Sequence, residues 1–140
     1  MLKAAIRDDN PVVFLEHELM YGEAFPMSEE VLNPDYVYEI GKAKIEKEGD
    51  DVTLVSFSRG VGHCLEAAKE LEKEGIHAEV INLRSIRPMD REAIVNSIKK
   101  TNHIVTVEEG WPQSGVGAEI AALCMESKIC IFMIILSWCF

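Results

Sequence analysis

The chain has 140 residues, 48% of them hydrophobic, with 14 Lys and Arg against 24 Asp and Glu for a formal charge of -10. That is room for one domain with a real core, and the composition is globular, not disordered. Acidic side chains scattered through most of the chain repel phosphate backbones, which sets nucleic acid aside.

In chain order, Met1 to Arg7 carries good helix formers but no N-cap before Leu2, as if a helix were entered partway, which points to an upstream part. Asp8-Asp9-Asn10-Pro11 stops it, because Pro11 pushes Asn10 out of the helical region. Carbonyls freed at that helix end sit beside the oxygens of Asp8 and Asn10, a set that suits a hard cation. The commoner use of Asp and Asn in such a turn is to hydrogen-bond their own backbone. Val12 to Leu15 reads as a buried strand. His17, between Glu16 and Glu18, reads as a base, a ligand or, more commonly, a polar neighbour at a strand end. Leu19 to Pro26 loses periodicity, Asn33-Pro34-Asp35 marks a turn, and the charged run from Gly41 to Asp50 reads as a connector ending in a Gly49-Asp50 turn.

From Asp51 to Val107, three short apolar segments alternate with two helical patterns. Val52 to Phe57, Ala78 to Leu83 and His103 to Val107 are the strands. Val61, Cys64, Leu65, Ala68 and Leu71 mark the apolar stripe of the first helix, which Gly75 ends. Asp90 caps the second helix, which runs to Lys100 with Ile94 and Ile98 inward. Strands joined by helices of this length require a parallel sheet with right-handed crossovers, and a ligand meets such a sheet at the carboxyl ends of its strands. Ser58-Arg59-Gly60-Val61-Gly62-His63 lies at one such end. Its two glycines do not have Walker or dinucleotide spacing, so tight helix-on-sheet packing is the better account of them, and His63 stays open between the two roles. Arg84 and Arg87 read as a clamp for an anion or, with greater weight, as interface arginines. Glu108 and Glu109 are neighbours on an extended chain and so point to opposite sides, which argues against a joint acid and base. Gly115-Val116-Gly117 opens a helix with Ile120, Leu123 and Cys124 on one face, and mimics a dinucleotide fingerprint without its third glycine.

Cys64, Cys124, Cys130 and Cys139 show neither C-x-x-C nor zinc spacing, which fits a reducing compartment, with Cys64 and Cys124 as small apolar residues on helix faces. Ile129 to Phe140 is apolar but far shorter than the ~20 residues of a membrane-spanning helix. It reads as a buried strand, an interfacial anchor or a sequence not selected to fold.

Three runs together, LKAAIRDDNPVVFLEHELMYGE, IGKAKIEKEGDDVTLVSFSRGVGHCLEAAKELEKEGIHAEVINLRSIRPMDREAI and KKTNHIVTVEEGWPQSGVGAEI, closely resemble the E1 beta subunits of the pyruvate dehydrogenase family, of the mitochondrial type. The resemblance covers Leu2 to Met125. It implies an α/β fold with a mostly parallel sheet, like the transketolase C-terminal domain and incomplete at both ends. Residues 1–40 would be the end of the pyrimidine-binding domain and the start of a linker, 41–126 the transketolase C-terminal-type domain, and 127–140 a divergent apolar tail. It further implies a potassium site with ligands Ala5, Ile6, Asp8 and Asn10, and one further ligand upstream of Met1. Thiamine diphosphate contacts and the catalytic histidine of the family match no residue of this chain, so no catalytic or cofactor-binding residue is expected here. From Ser127 the run SKICIFMIILSWCF fits nothing in the family, so the last sheet strand and the surface docking on the E2 core are expected to be absent. The implied partners are the E1 alpha subunit, a second E1 beta subunit and the E2 dihydrolipoamide acetyltransferase, in the mitochondrial matrix. The complete α2β2 enzyme of the family decarboxylates pyruvate and passes the acetyl group to a lipoyl arm. Competing readings are a stand-alone nucleotide-binding module using Gly115 and Gly117, and a non-catalytic interaction fragment.

Overall fold

The computed structural model describes residues 1–127 and the strand 132–138. Its centre is a five-stranded sheet built from β1 (Lys44–Lys47), β2 (Val52–Ser56), β3 (Ala78–Asn82), β4 (His103–Glu109) and β5 (Phe132–Trp138), in spatial order β1-β3-β2-β4-β5. β2 pairs parallel with both β3 and β4, and β4 pairs parallel with β5. β1 is the antiparallel edge, with a register irregularity between Ile45 and Lys47. Three small helical pieces precede the sheet: α1 (Leu2–Arg7), a 3-10 turn (Glu18–Met20) and α2 (Glu29–Leu32).

The crossovers are α3 (Gly60–Lys73), α4 (Arg91–Thr101) and α5 (Val116–Glu126). The first two end at residues in the left-handed region. Gly75 takes φ +80 just past α3, a conformation that costs a residue without Cβ nothing. The Asp90 carboxylate accepts the Ala93 N–H at 3.1 Å, filling one orphan donor of α4. Asn102 closes α4 in the left-handed region at φ 57.

Successive side chains of β2 and β3 point to opposite faces and nearly all are buried, so each face has its own core. On one face Leu54 and Val80 pack against Val61, Cys64 and Ala68 of α3. On the other, Val55, Ile81 and Ile104 pack against Ile94 and Ile98 of α4 and Ile120, Leu123 and Cys124 of α5. Helices on both faces of a mainly parallel sheet make this a doubly wound α/β domain, as expected. Within the α4 face, the Thr53 hydroxyl bonds Ser97 Oγ and Thr101 Oγ1, both at 2.7 Å, so three buried hydroxyls satisfy one another.

Three expectations are corrected. Val12 to Leu15 is not a buried strand: Val13 is 84% and Leu15 83% exposed, and the segment belongs to no sheet among the described residues. A short apolar run has β preference, but a strand exists only when a neighbouring ladder takes up its backbone groups. The Gly41–Asp50 connector contains β1, an edge strand whose Lys44, Glu46 and Lys47 give it the look of a linker. Finally, the expected loss of the last strand does not occur, because Phe132–Trp138 lies beside β4 from His103↔Phe132 to Glu109↔Trp138. The expectations for residues 128–131 and 139–140, including Cys130 and Cys139, fall outside the described residues.

Candidate functional site at the carboxyl edge of the sheet

β2 and β4 are neighbours, yet the helices that follow them pack on opposite faces. The chain therefore parts between their carboxyl ends, the place where open α/β sheets hold ligands. The walls of this crevice are the turn after β2, Phe57 to Arg59, and the end of β4, Glu108 to Trp111.

Three charged or polar side chains from distant parts of the chain meet there. His17 Nε2 lies 2.9 Å from Glu109 Oε2, and Arg59 Nη1 lies 3.5 Å from Glu109 Oε1. Next to them the Ser58 hydroxyl donates to Met20 Sδ at 3.8 Å. The segment around His17 is thus strapped across the crevice. His17 Nδ1 is buried and has no hydrogen-bond partner among the described residues. These contacts are half-exposed, so each is worth under about 1 kcal/mol, enough to position a segment and not to stabilise a domain. His17→Ala should raise amide hydrogen exchange across residues 12–27 while leaving the exchange of β2 and β4 unchanged.

Glu108 has the opposite role. Its carboxylate accepts the Val116 N–H at 2.9 Å and the Gly117 N–H at 3.0 Å, so it caps α5 from below. Gly115 permits the approach, since a Cβ there would stand 2.6 Å from Glu108 Oε1. Glu108 is buried and Glu109 is not, so the two carboxylates diverge as their adjacency implies. The same contacts count against nucleotide binding by Gly115 and Gly117. The amides that would cradle a phosphate are already bonded, and to a carboxylate.

The remaining singled-out residues are structural or peripheral. Arg84 lays its guanidinium 4.2 Å from the centre of the Tyr38 ring, an intramolecular stack holding the 36–43 segment to the sheet. Gly60 lies so close to Ser56 that a Cβ would collide with its Oγ, and Ser56 Oγ donates to the Val107 carbonyl at 2.7 Å, tying β2 to β4. Tight packing is therefore the reason for that glycine, while His63 sits exposed on the first turn of α3. Burial pushes the Cys64 thiol up to about 11 and the Cys124 thiol in the same direction, so neither is a ready nucleophile.

At the other end of the sheet, Glu79 on β3 is 1% exposed and bonded by Lys100 from α4, with Glu48 3.6 Å from the same ammonium. An open depression of about 420 Å³ lies beside them, lined by Glu48, Gly49, Asp50, His77 and Lys100. Its two carboxylates do not suit a diphosphate. A second cavity, under the start of α5, measures about 10 Å³ and is far too small for an organic cofactor. The residues around these two sites therefore do not fit thiamine diphosphate.

The expected cation ligands lie within one turn of chain at the end of α1. Helical bonds run from N–H(i) to C=O(i−4), so the carbonyls of Ala5 and Ile6 have no intrahelical donor in a helix ending at Arg7. Asp8 Oδ1 accepts from both the backbone N–H and the side-chain amide of Asn10 at 2.9 Å. The backbone bond and then the side-chain bond hold the Asp8 carboxyl below its ordinary value. Carbonyl, carboxylate and amide oxygens are the donor types an alkali cation takes. Among the described residues no three His, Cys, Asp or Glu side chains cluster as a metal site, and no helix is long and apolar enough to cross a membrane.

Residues 41–131 match the family model "Transketolase, C-terminal domain". The chain is 64% identical over 129 residues to the pyruvate dehydrogenase E1 component subunit beta, mitochondrial, of Caenorhabditis elegans, covering 92% of this chain and 37% of that protein. It is 65% identical over 126 residues to the Dictyostelium discoideum subunit of the same name, covering 90% and 35%, and 59% identical over 133 residues to that of Homo sapiens, covering 95% and 37%. The chain thus spans little more than a third of the length of these relatives. Among solved structures, a split-gene transketolase described as an inactive beta4 tetramer superimposes with a TM-score of 0.68 at 38% identity, over 75% of this chain and 35% of that one. A 2-oxoglutarate:ferredoxin oxidoreductase from Magnetococcus marinus shares the fold at a TM-score of 0.56 and 18% identity, over 79% of this chain and 18% of that one. With its sheet order, its helices on both faces and a family match over residues 41–131, the chain belongs to the transketolase C-terminal domain family.

Proposed function

We propose that this chain acts as the C-terminal part of a mitochondrial pyruvate dehydrogenase E1 beta subunit, in the matrix, contributing assembly surface and a potassium site to the oxidative decarboxylation of pyruvate. The observation that carries the reading is identity of 59–65% sustained over 90% or more of the chain, through the N-terminal segment as well as the domain. Residues 1–40 are then the end of the pyrimidine-binding domain and the linker, 41–126 the transketolase-type domain, and 127–140 the divergent tail. Thiamine diphosphate would supply, when bound in the complete enzyme, the nucleophilic carbon and electron sink needed to remove carbon dioxide from a 2-oxo acid. This chain's residues take no part in that step. What they do is position: His17, Arg59 and Glu109 hold the N-terminal segment on the sheet, and Ala5, Ile6, Asp8 and Asn10 gather oxygens for the cation.

The assembly role is supported by the row of apolar side chains in the same segment. Val13, Leu15, Leu19, Phe25 and Met27 are each at least 60% exposed. Exposed apolar rows of this size mark association surfaces, and the E1 alpha subunit, a second E1 beta subunit and E2 are the partners proposed. Titration of the purified chain with potassium against sodium, followed by thermal unfolding, tests the site part of the reading. Stabilisation specific to potassium in the wild type, and lost in Asp8→Ala, is expected. Equal response to both ions, or none, would contradict it.

A further inference from the structure

The roof of the α4/α5 core, just beneath the crevice, holds a feature that packing alone does not explain. Thr106 sits on β4 two residues before Glu108, on the same face of the sheet. It is 2% exposed, and its hydroxyl has no hydrogen-bond partner among the described residues. Leaving a buried hydroxyl unbonded is costly, and such groups are almost always satisfied by protein or by ordered water. Thr106 lines the cavity of about 10 Å³ under the first turn of α5, together with Glu108, Val55, Leu83, Val116 and Ile120.

The size of this cavity matches one water and nothing larger, since about 10–15 Å³ is what a single water centre requires. Besides apolar side chains its walls include Thr106, Glu108 and Ser56, and the Ser56 hydroxyl is already bonded to the Val107 carbonyl. A hydroxyl can donate and accept, while each oxygen of the Glu108 carboxylate has a further lone pair beyond the one engaged by Val116 or Gly117. A purely apolar void of this volume would stay dry, but this one has polar groups on two sides.

We propose that this cavity is a binding site for one resident water molecule, which bridges the Thr106 hydroxyl and the Glu108 carboxylate and so completes the junction between β4 and α5. Through it, the carboxylate that caps α5 is bonded on its inner side as well as by the two amides. The site does not depend on the assignment of the chain to a larger enzyme, because its lining comes from β2, β4, α5 and the residues Phe57 and Leu83 that follow β2 and β3.

Thr106→Val tests the site because it replaces the hydroxyl by a methyl group of nearly the same shape, and Thr106→Ser keeps the hydroxyl as a control. Water-selective nuclear Overhauser spectra of the wild type should show a long-lived water at the amides of Val107 and Gly117. The signal should persist in Thr106→Ser and vanish in Thr106→Val, and the unfolding temperature of the valine variant should fall by about 3 °C. A wild-type spectrum without that signal, or a signal unchanged in the valine variant, would overturn the proposal. So would a valine variant as stable as the wild type or more so, since removing an unbonded hydroxyl relieves a cost instead of adding one.

Discussion

Replacing Ile98 by alanine should lower the unfolding free energy by about 4 kcal/mol, measured by urea denaturation at neutral pH. Ile98 is 0% exposed and lies in the cluster that joins Val55, Ile81 and Ile104 of the sheet to Ile94 of α4 and Ile120 of α5. Removing its three outer carbons forfeits their transfer free energy and leaves a void that these neighbours cannot readily close. They are themselves held in a strand ladder on one side and a capped helix on the other. The cost therefore belongs at the upper part of the range for such substitutions. A change below about 1 kcal/mol would mean that α4 does not pack on the sheet as described.

The second large effect is electrostatic. Lys100→Met should destabilise the chain by about 2 kcal/mol at neutral pH, less than for a fully buried pair because the lysine side chain is 41% exposed. Desolvation by itself would raise the Glu79 carboxyl. The hydrogen bond from Lys100 and the lysine charge outweigh it, and hold Glu79 below its ordinary 4.5. The bond to Glu79 correspondingly raises Lys100 above its ordinary 10.5. The signs follow from linkage. A depressed carboxyl contributes stability that is present above pH 4.5 and lost as the pH falls through its folded value; a raised ammonium contributes stability that is present below pH 10.5 and lost as the pH rises through its folded value. The difference between wild type and Lys100→Met should therefore be largest between these limits and shrink in acid, where Glu79 is protonated in both. A constant difference at all pH values would contradict the pairing.

The core of the fold is legible in the sequence because its signals are local. The apolar stripe of α3, the Asp90 cap and the left-handed Gly75 each specify an element through nearest neighbours in the chain. The alternation of strand and helix then forces the parallel sheet. What was not legible is settled by tertiary contact. Val12 to Leu15 has the composition of a strand but no ladder to join, and Lys44 to Lys47 has the composition of a linker but lies against Asn82 and Ile81. At the carboxyl edge, His17 and Glu109 are 92 residues apart, and no periodicity or motif announces their meeting. Glu108, by contrast, was separable from Glu109 by strand geometry alone, although its capping of α5 was not. The buried Glu79 shows the same limit: its neighbours in the chain are those of a core strand, and its partner comes from α4.

On the proposed function, these residues form the rear part of an E1 beta subunit whose reactive centre is built from other segments, and substitution within a relative decides it. Residues 2–126 of this chain, placed in the Caenorhabditis elegans E1 beta subunit in exchange for the matching stretch and co-expressed with its E1 alpha, should give an assembled enzyme that decarboxylates pyruvate within about tenfold of the parent, a loss of no more than about 1.4 kcal/mol. A chimera that folds but fails to assemble with E1 alpha, or that assembles without decarboxylating pyruvate, would contradict it.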